Sequence, residues 1–269
     1  MAESEHNELT IDLERIIRER AGNRVPGFVI RWLKRFIHED FINEFLKRGY
    51  VGVEFCEKGV EYLGAQLTIE GLEELPNDGH FTFVSNHPLG AIDGVALGGI
   101  IGRKYNGNVK YLVNDLLMNL KGLAPLCIPI NKLGSQSRNL PGQVDAAFKS
   151  DDHVILFPAG ICSRLIDGEI RDLPWGKAFI QKSVQYHRDV VPVHFIAQNS
   201  PRFYRVARWC QWLHLKFNLA MLLLPDEMYR SCGKHFTVRF GTPIPWQTFD
   251  HSRRPADWAQ WVKDLAYQL

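Results

Sequence analysis

The segment HVILFPAG, His153 to Gly160, decides how this chain is to be read. Its apolar run is too short for a helix and is closed by Pro158 and Gly160, the pattern of a strand buried inside a sheet. Six further runs have the same character: QLTIEG (Gln66 to Gly71), HFTFVSN (His80 to Asn86), NVKYLVN (Asn108 to Asn114), CIPIN (Cys127 to Asn131), VVPVHFIAQ (Val190 to Gln198) and FTVRFG (Phe236 to Gly241). Helical stretches separate most of them, at Asp93 to Arg103, Asp115 to Lys121, Pro141 to Lys149 and Gly176 to His187. Strands alternating with helices predict an α/β fold, a mostly parallel twisted sheet of about seven strands covered by helices. Such sheets hold ligands where strand ends meet the following loops, so the informative residues should follow strands.

Upstream the periodicity changes. From Ile11 to about Tyr50 apolar residues recur at helical spacing, and Pro26 with Gly27 divides the stretch into two helices. The shift places a boundary near residue 63, with an amphipathic helical segment over 1–63 and the sheet domain over 64–269. The second helix, VPGFVIRWLKRFIHEDFINEFLKR, mixes Trp32 and Phe36 with Lys34 and Arg35. That composition suits a membrane interface and equally a helix packed on its own domain.

Of 269 residues, 45% are hydrophobic, enough for one substantial core or two small ones and incompatible with a disordered or collagenous chain. The net charge of +2 argues against wholesale nucleic-acid binding, so electrostatic targeting has to be local. Five scattered cysteines without a C-x-x-C pair suit a reduced, cytoplasmic compartment. The charged N-terminal stretch lacks a secretory signal, and the longest strongly apolar segment, Leu219 to Leu224, is too short to span a bilayer. Ten histidines show no metal-ligand spacing, and no metal site is expected.

Three loops after strands carry chemistry. In Asn86-His87-Pro88-Leu89-Gly90-Ala91-Ile92-Asp93, proline forces extended backbone on His87, and Gly90 permits a reversal that returns Asp93 towards the imidazole. A carboxylate on one ring nitrogen leaves the other to accept a proton, a general base with no nucleophile of its own. Asp93 also suits a helix N-cap, the plainer reading. Gly160, Ser163 and Arg164 offer close backbone approach and anion or oxyanion contacts, or simply a turn. Gly134-Ser135-Gln136-Ser137-Arg138 forms a comparable cradle, with Arg138 either a forked anion contact or a solvated side chain. Cys162 raises the alternative of a cysteine hydrolase with His87 as base, although a bystander thiol is the simpler interpretation.

In combination these blocks, with Val191-Pro192-Val193 as a fourth, resemble the lysophospholipid acyltransferase superfamily typified by 1-acylglycerol-3-phosphate (PlsC-like) acyltransferases, over about Gln66 to Pro245. Two features depart from the usual pattern: five residues, rather than four, separate His87 from Asp93, and Ala159 stands where glutamate is common. These forms resemble the branch of hemolysin-like proteins and ornithine-lipid and glycine-lipid O-acyltransferases of bacteria.

The resemblance implies acyl transfer from an acyl carrier protein or coenzyme A thioester, with no other cofactor, to a lyso-lipid hydroxyl. The acceptor would be a lyso-aminolipid, with lysophosphatidic acid its competitor and water, giving a lipid hydrolase, a further alternative. It makes His87 the base, Asp93 its partner and Arg138 the contact for the acceptor's anionic group; the residue types of the loops add Asn86, Ser135, Ser137, Gly160, Ser163 and Arg164 as expected substrate contacts. Amphiphilic substrates also imply docking on an anionic membrane, here the inner face of the cell membrane. Pro201 to Asn218 carries Arg205, Arg208, Trp209 and Trp212 without an acidic residue, which with Trp32 and Arg35 gives the expected contact surface.

Overall fold

The computed structural model describes residues 10–113, 120–129, 140–213 and 219–269. Four helices come first: α1 (Leu13–Ala21), α2 (Gly27–Phe36), α3 (Glu39–Leu46) and α4 (Val53–Tyr62). They are followed by β1 (Gln66–Glu70), β2 (Phe81–Ser85), α5 (Ile92–Lys104), β3 (Val109–Val113), β4 (Cys127–Pro129), α6 (Leu140–Lys149) and β5 (His153–Leu156). The remainder is β6 (Arg164–Ile166), β7 (Glu169–Arg171), α7 (Ala178–Gln185), β8 (Asp189–Ile196), α8 (Pro201–Trp212), α9 (Leu224–Tyr229), β9 (His235–Phe240) and α10 (Pro255–Gln268).

Each of the seven apolar runs is a strand of one sheet, ordered β1-β9-β8-β2-β5-β3-β4. All neighbours are parallel except β8 and β9, where Val193 pairs with Phe240 and Ile196 with Thr237 in antiparallel register. The α/β expectation therefore holds. The sequence reading passed over a short hairpin, β6 with β7, turned by Asp167 and Gly168, both at positive φ. Asp-Gly between short strands is the signature of such a turn. The helix expected over Asp115 to Lys121 lies mostly outside the described residues.

The N-terminal segment differs from expectation: α1, α2 and α3 stand where two helices were read over Ile11 to Tyr50, and α4 follows. The second predicted helix breaks at His38, which adopts left-handed backbone at φ 55° between α2 and α3. No glycine or proline marks the break. Its cause is tertiary, because His38 Nε2 lies 2.9 Å from Asp226 Oδ1 and its ring stacks on Tyr229 at 3.9 Å between centroids. Phe45, Leu46, Phe55 and Cys56 share a buried cluster with Phe83, Leu97, Val193 and Phe240 on one face of the sheet. On the other face, α6, α7 and α10 cover Val84, Val154, Leu156 and Val190. Full burial of a side chain such as Phe83 or Phe195 stabilises the fold by roughly 1.5–3 kcal/mol.

Two features fix the layers at either end of the sheet. Helix α5 approaches β3 and α4 so closely that a Cβ on Gly98 would fall 2.1 Å from Tyr111 Oη and 2.8 Å from Cys56 Sγ. The Tyr111 hydroxyl then donates to the carbonyl of Gly94 at 2.5 Å, pinning the first turn of α5. At the opposite end, buried Arg188 donates to the carbonyls of Phe148, Ser150, Phe81 and Asp152, closing α6 onto β2. Strands β5, β2 and β8 are neighbours at the centre of the sheet, and their C-terminal ends carry the loops that the sequence singled out.

Candidate active site

Beyond Ser85, the chain passes through His87 and Pro88 and reverses at Gly90, whose φ is 83°. A side chain there is doubly excluded, since a Cβ would also sit 2.4 Å from Cys162 Sγ. Asp93 lies one residue inside α5 and its carboxylate turns back over the reversal. Asp93 Oδ2 is 3.0 Å from His87 Nδ1 and accepts the amides of Leu89 at 2.9 Å and Gly90 at 3.2 Å. Five intervening residues thus close the pair.

Asp93 is fully buried, while 18% of the His87 side chain is exposed. Burial opposes charge on both groups, yet the pair overcomes it: His87 is raised above its ordinary value by Asp93 and then Asp172, and Asp93 is lowered by His87 and the two amides. The imidazole therefore holds a proton well once it has taken one. Among the described residues His87 Nε2 has no hydrogen-bond partner, which leaves it as the reactive nitrogen.

The loop after β5 braces this histidine. Phe157 stacks on the imidazole at 4.1 Å between centroids, and the Ser163 amide donates to the His87 carbonyl at 2.9 Å. Several expected substrate contacts are used up within the protein. Asn86 bridges the backbone of Phe195, its Nδ2 donating at 2.9 Å and its Oδ1 accepting at 2.7 Å. The Ser163 hydroxyl donates to Asp172 at 2.6 Å. Gly160, at φ 69°, spends its amide on the Phe157 carbonyl, 2.9 Å away, so it offers no N–H to an oxyanion. Ser135, Ser137 and Arg138 lie outside the described residues.

Arg164 differs from these. It is buried to 5% exposure, donates from Nη1 to the carbonyls of Cys162 and Ser163 and lies 5.6 Å from the Phe203 ring. Among the described residues no carboxylate pairs with it. A guanidinium buried without a counter-ion favours an anion brought from outside. Cys162, by contrast, is no thiolate: burial pushes its thiol up to about 12, against the cysteine-hydrolase alternative. A groove of about 500 Å³ opens beside the loop, lined by Pro88, Ser163, Arg171, His194, Gln198 and Tyr267. Among the described residues no group of three or more histidine, cysteine or carboxylate side chains gathers to hold a metal.

A family model described as Acyltransferase matches residues 15–269. The chain belongs to the acyltransferase family. This acyltransferase is 58% identical to the lyso-glycine lipid O-acyltransferase of Phocaeicola vulgatus, over 96% of the chain and 95% of the relative. It is 56% identical to the lyso-glycine lipid O-acyltransferase of Bacteroides thetaiotaomicron, over 96% of the chain and 97% of the relative. Among solved structures, the 1-acyl-sn-glycerophosphate acyltransferase PlsC from Thermotoga maritima aligns over 95% of the chain and 88% of its own, at 14% identity and a TM-score of 0.49. The family read from the four blocks, and its aminolipid branch, are borne out.

Two residues that hold the acyltransferase loops carry no sequence signal. Asp172 receives the His87 amide, and Asn199 donates to the Pro88 carbonyl at 3.1 Å. Trp32, Arg35, Arg205, Arg208, Trp209 and Trp212 are all exposed, the three tryptophans by 59%, 65% and 76%. Their helices meet where Arg202 of α8 lies 5.5 Å from the Phe36 ring of α2. No helix among the described residues is long and apolar enough to cross a membrane.

Proposed function

We propose that this acyltransferase moves a fatty acyl group from a thioester of acyl carrier protein or coenzyme A to the hydroxyl of a lyso-glycine lipid. The observation that carries the reading is the His87–Asp93 pair at 3.0 Å, closed on Nδ1 and, among the described residues, unpartnered on Nε2. The glycine-lipid names of two relatives more than half identical over nearly the whole chain support the acceptor class.

Nε2 of His87 takes the acceptor hydroxyl proton as that oxygen attacks the thioester carbonyl. Asp93 stabilises the imidazolium. The tetrahedral intermediate then collapses, the carbon–sulfur bond breaks, and the departing thiolate recovers the proton from Nε2. No acyl-enzyme and no further cofactor enter this sequence. A lyso-glycine lipid is an N-acylated amino acid with a free hydroxyl and a carboxylate, and Arg164 supplies the cation for that carboxylate. With the Gly160 amide committed, the oxyanion is met by another donor, and the Ile161 amide has no partner among the described residues.

Docking is on an anionic membrane surface at the inner face of the cell membrane, through α2 and α8. Phe28, Trp32, Trp209, Trp212 and Leu222 are at least half exposed and stand beside Arg35, Arg205 and Arg208, the mixture that an anionic interface rewards. Mass spectrometry of lipids from cells expressing the wild type and His87→Ala tests the chemistry. A diacylated glycine lipid should accumulate with the wild type only. Its formation by His87→Ala, or acylation of lysophosphatidic acid in its place, would sink the reading.

A further inference from the structure

Asp172 follows β7, 85 residues from His87, in a stretch, RDLPWGK, that no catalytic motif marks. It is 1% exposed. Its Oδ1 accepts the His87 amide at 3.3 Å and the Ser163 hydroxyl at 2.6 Å, and its Oδ2 accepts Trp175 Nε1–H at 2.9 Å. Its own peptide groups are held as well: its amide donates to the Tyr267 hydroxyl at 2.8 Å, and its carbonyl accepts Lys263 Nζ–H at 2.6 Å, both from α10. A loop tether needs only a neutral acceptor. Burial raises the Asp172 carboxyl above its ordinary value, against three donors from three separate loops that favour its ionised form, one of them the backbone of the histidine.

We propose that Asp172 is a positioning residue for His87, fixing the backbone of the base and the Ser163 loop in one frame and setting a second negative charge beside the imidazole. The inference rests on His87 being the general base. The Ser163 amide and Asp172 together hold both backbone groups of residue 87, so the ring is aimed from behind while Asp93 aims it from the side. Charged and titratable groups facing this pair are Asp93 from α5, Cys162 from the loop into β6, Arg164 at the start of β6, and Lys263 and Tyr267 from α10. Of the charged groups acting on His87, the two carboxylates favour the imidazolium and Arg164 opposes it.

Asp172→Asn keeps an oxygen for the His87 amide and removes the charge and the Trp175 bond. The test measures steady-state transfer against pH, together with NMR titration of the His87 ring, its resonance assigned by loss in His87→Ala. We expect kcat to fall roughly tenfold or more through misplacement of the base, with the acceptor KM little changed. The His87 midpoint, and with it the rising limb of kcat/KM, should move to lower pH because one of the two charges favouring the imidazolium is gone. A folded Asp172→Asn protein with wild-type kcat and an unmoved His87 midpoint overturns the proposal. Should Asp172→Asn fail to fold, Trp175→Phe strips one donor from the same carboxylate and should lower kcat several-fold, roughly; unchanged kinetics there would equally overturn it. Activity in His87→Ala would refute the function itself, a result separate from either outcome.

Discussion

The loops around His87 and the outer faces of α2 and α8 treat their side chains in opposite ways. At the loops almost every polar atom is committed: Asn86 to Phe195, Ser163 to Asp172, Asp93 to three groups at once. On the helices, Trp209 and Trp212 present large apolar area to the outside and Arg205 and Arg208 lie exposed beside them. The first region is built to hold a geometry, the second to meet something. A substitution in the former should change rates, and one in the latter should change location.

The largest expected effect is at the base. His87→Ala should lower acyl transfer by about 10²- to 10⁴-fold, read by steady-state kinetics with a lyso-glycine lipid acceptor, while the melting temperature stays near that of the wild type. Asp93→Asn should follow with a loss on the order of 10²-fold. Its pH profile adds a sign: the charge of Asp93 raises His87, so the wild-type rate should climb through a midpoint above about 6.5, and that limb should shift to lower pH in the variant. A shift to higher pH would mean that the imidazole is not the group titrating.

A smaller and more selective loss is expected at Arg164. Replacing it with glutamine removes a charge-assisted contact of about 1.5–3 kcal/mol, roughly a tenfold or larger rise in acceptor KM. An acceptor whose carboxylate is capped as an amide should be turned over equally poorly by both proteins. Smallest in stability, and sharpest for the comparison, is Trp209→Ser with Trp212→Ser. Each exposed site should alter folding by no more than about 0.5 kcal/mol, while flotation with anionic liposomes is lost. If stability collapsed and vesicle binding persisted, the two regions would have to exchange roles.

What could be read in the sequence follows the range of the interactions. Seven strands were legible because each is a local run of apolar residues, and the His87–Asp93 pair because Pro88 and Gly90 set its geometry within eight residues. Contacts between distant segments were not. His38 breaks a helix through Asp226, 188 positions away, and Asp172 reaches His87 across 85. Neither leaves a periodicity or a motif. Asn86 and Ser163 read as substrate contacts, but sequence alone does not reveal whether such groups face a ligand or a neighbouring loop. The hairpin of β6 and β7 did leave a signal, Asp167-Gly168, and it is this hairpin that delivers Asp172.

The absent side chain at residue 90 bears on any attempt to re-engineer acceptor preference. With Cys162 sulfur 2.4 Å and a Leu224 methyl 3.0 Å from where a methyl group would go, one added carbon there wedges apart the turn, the loop and α9 together. Mutagenesis libraries that randomise this turn would chiefly return misfolded clones, so diversity is better invested along the rim of the neighbouring groove, at Arg171 and Gln198, which line it.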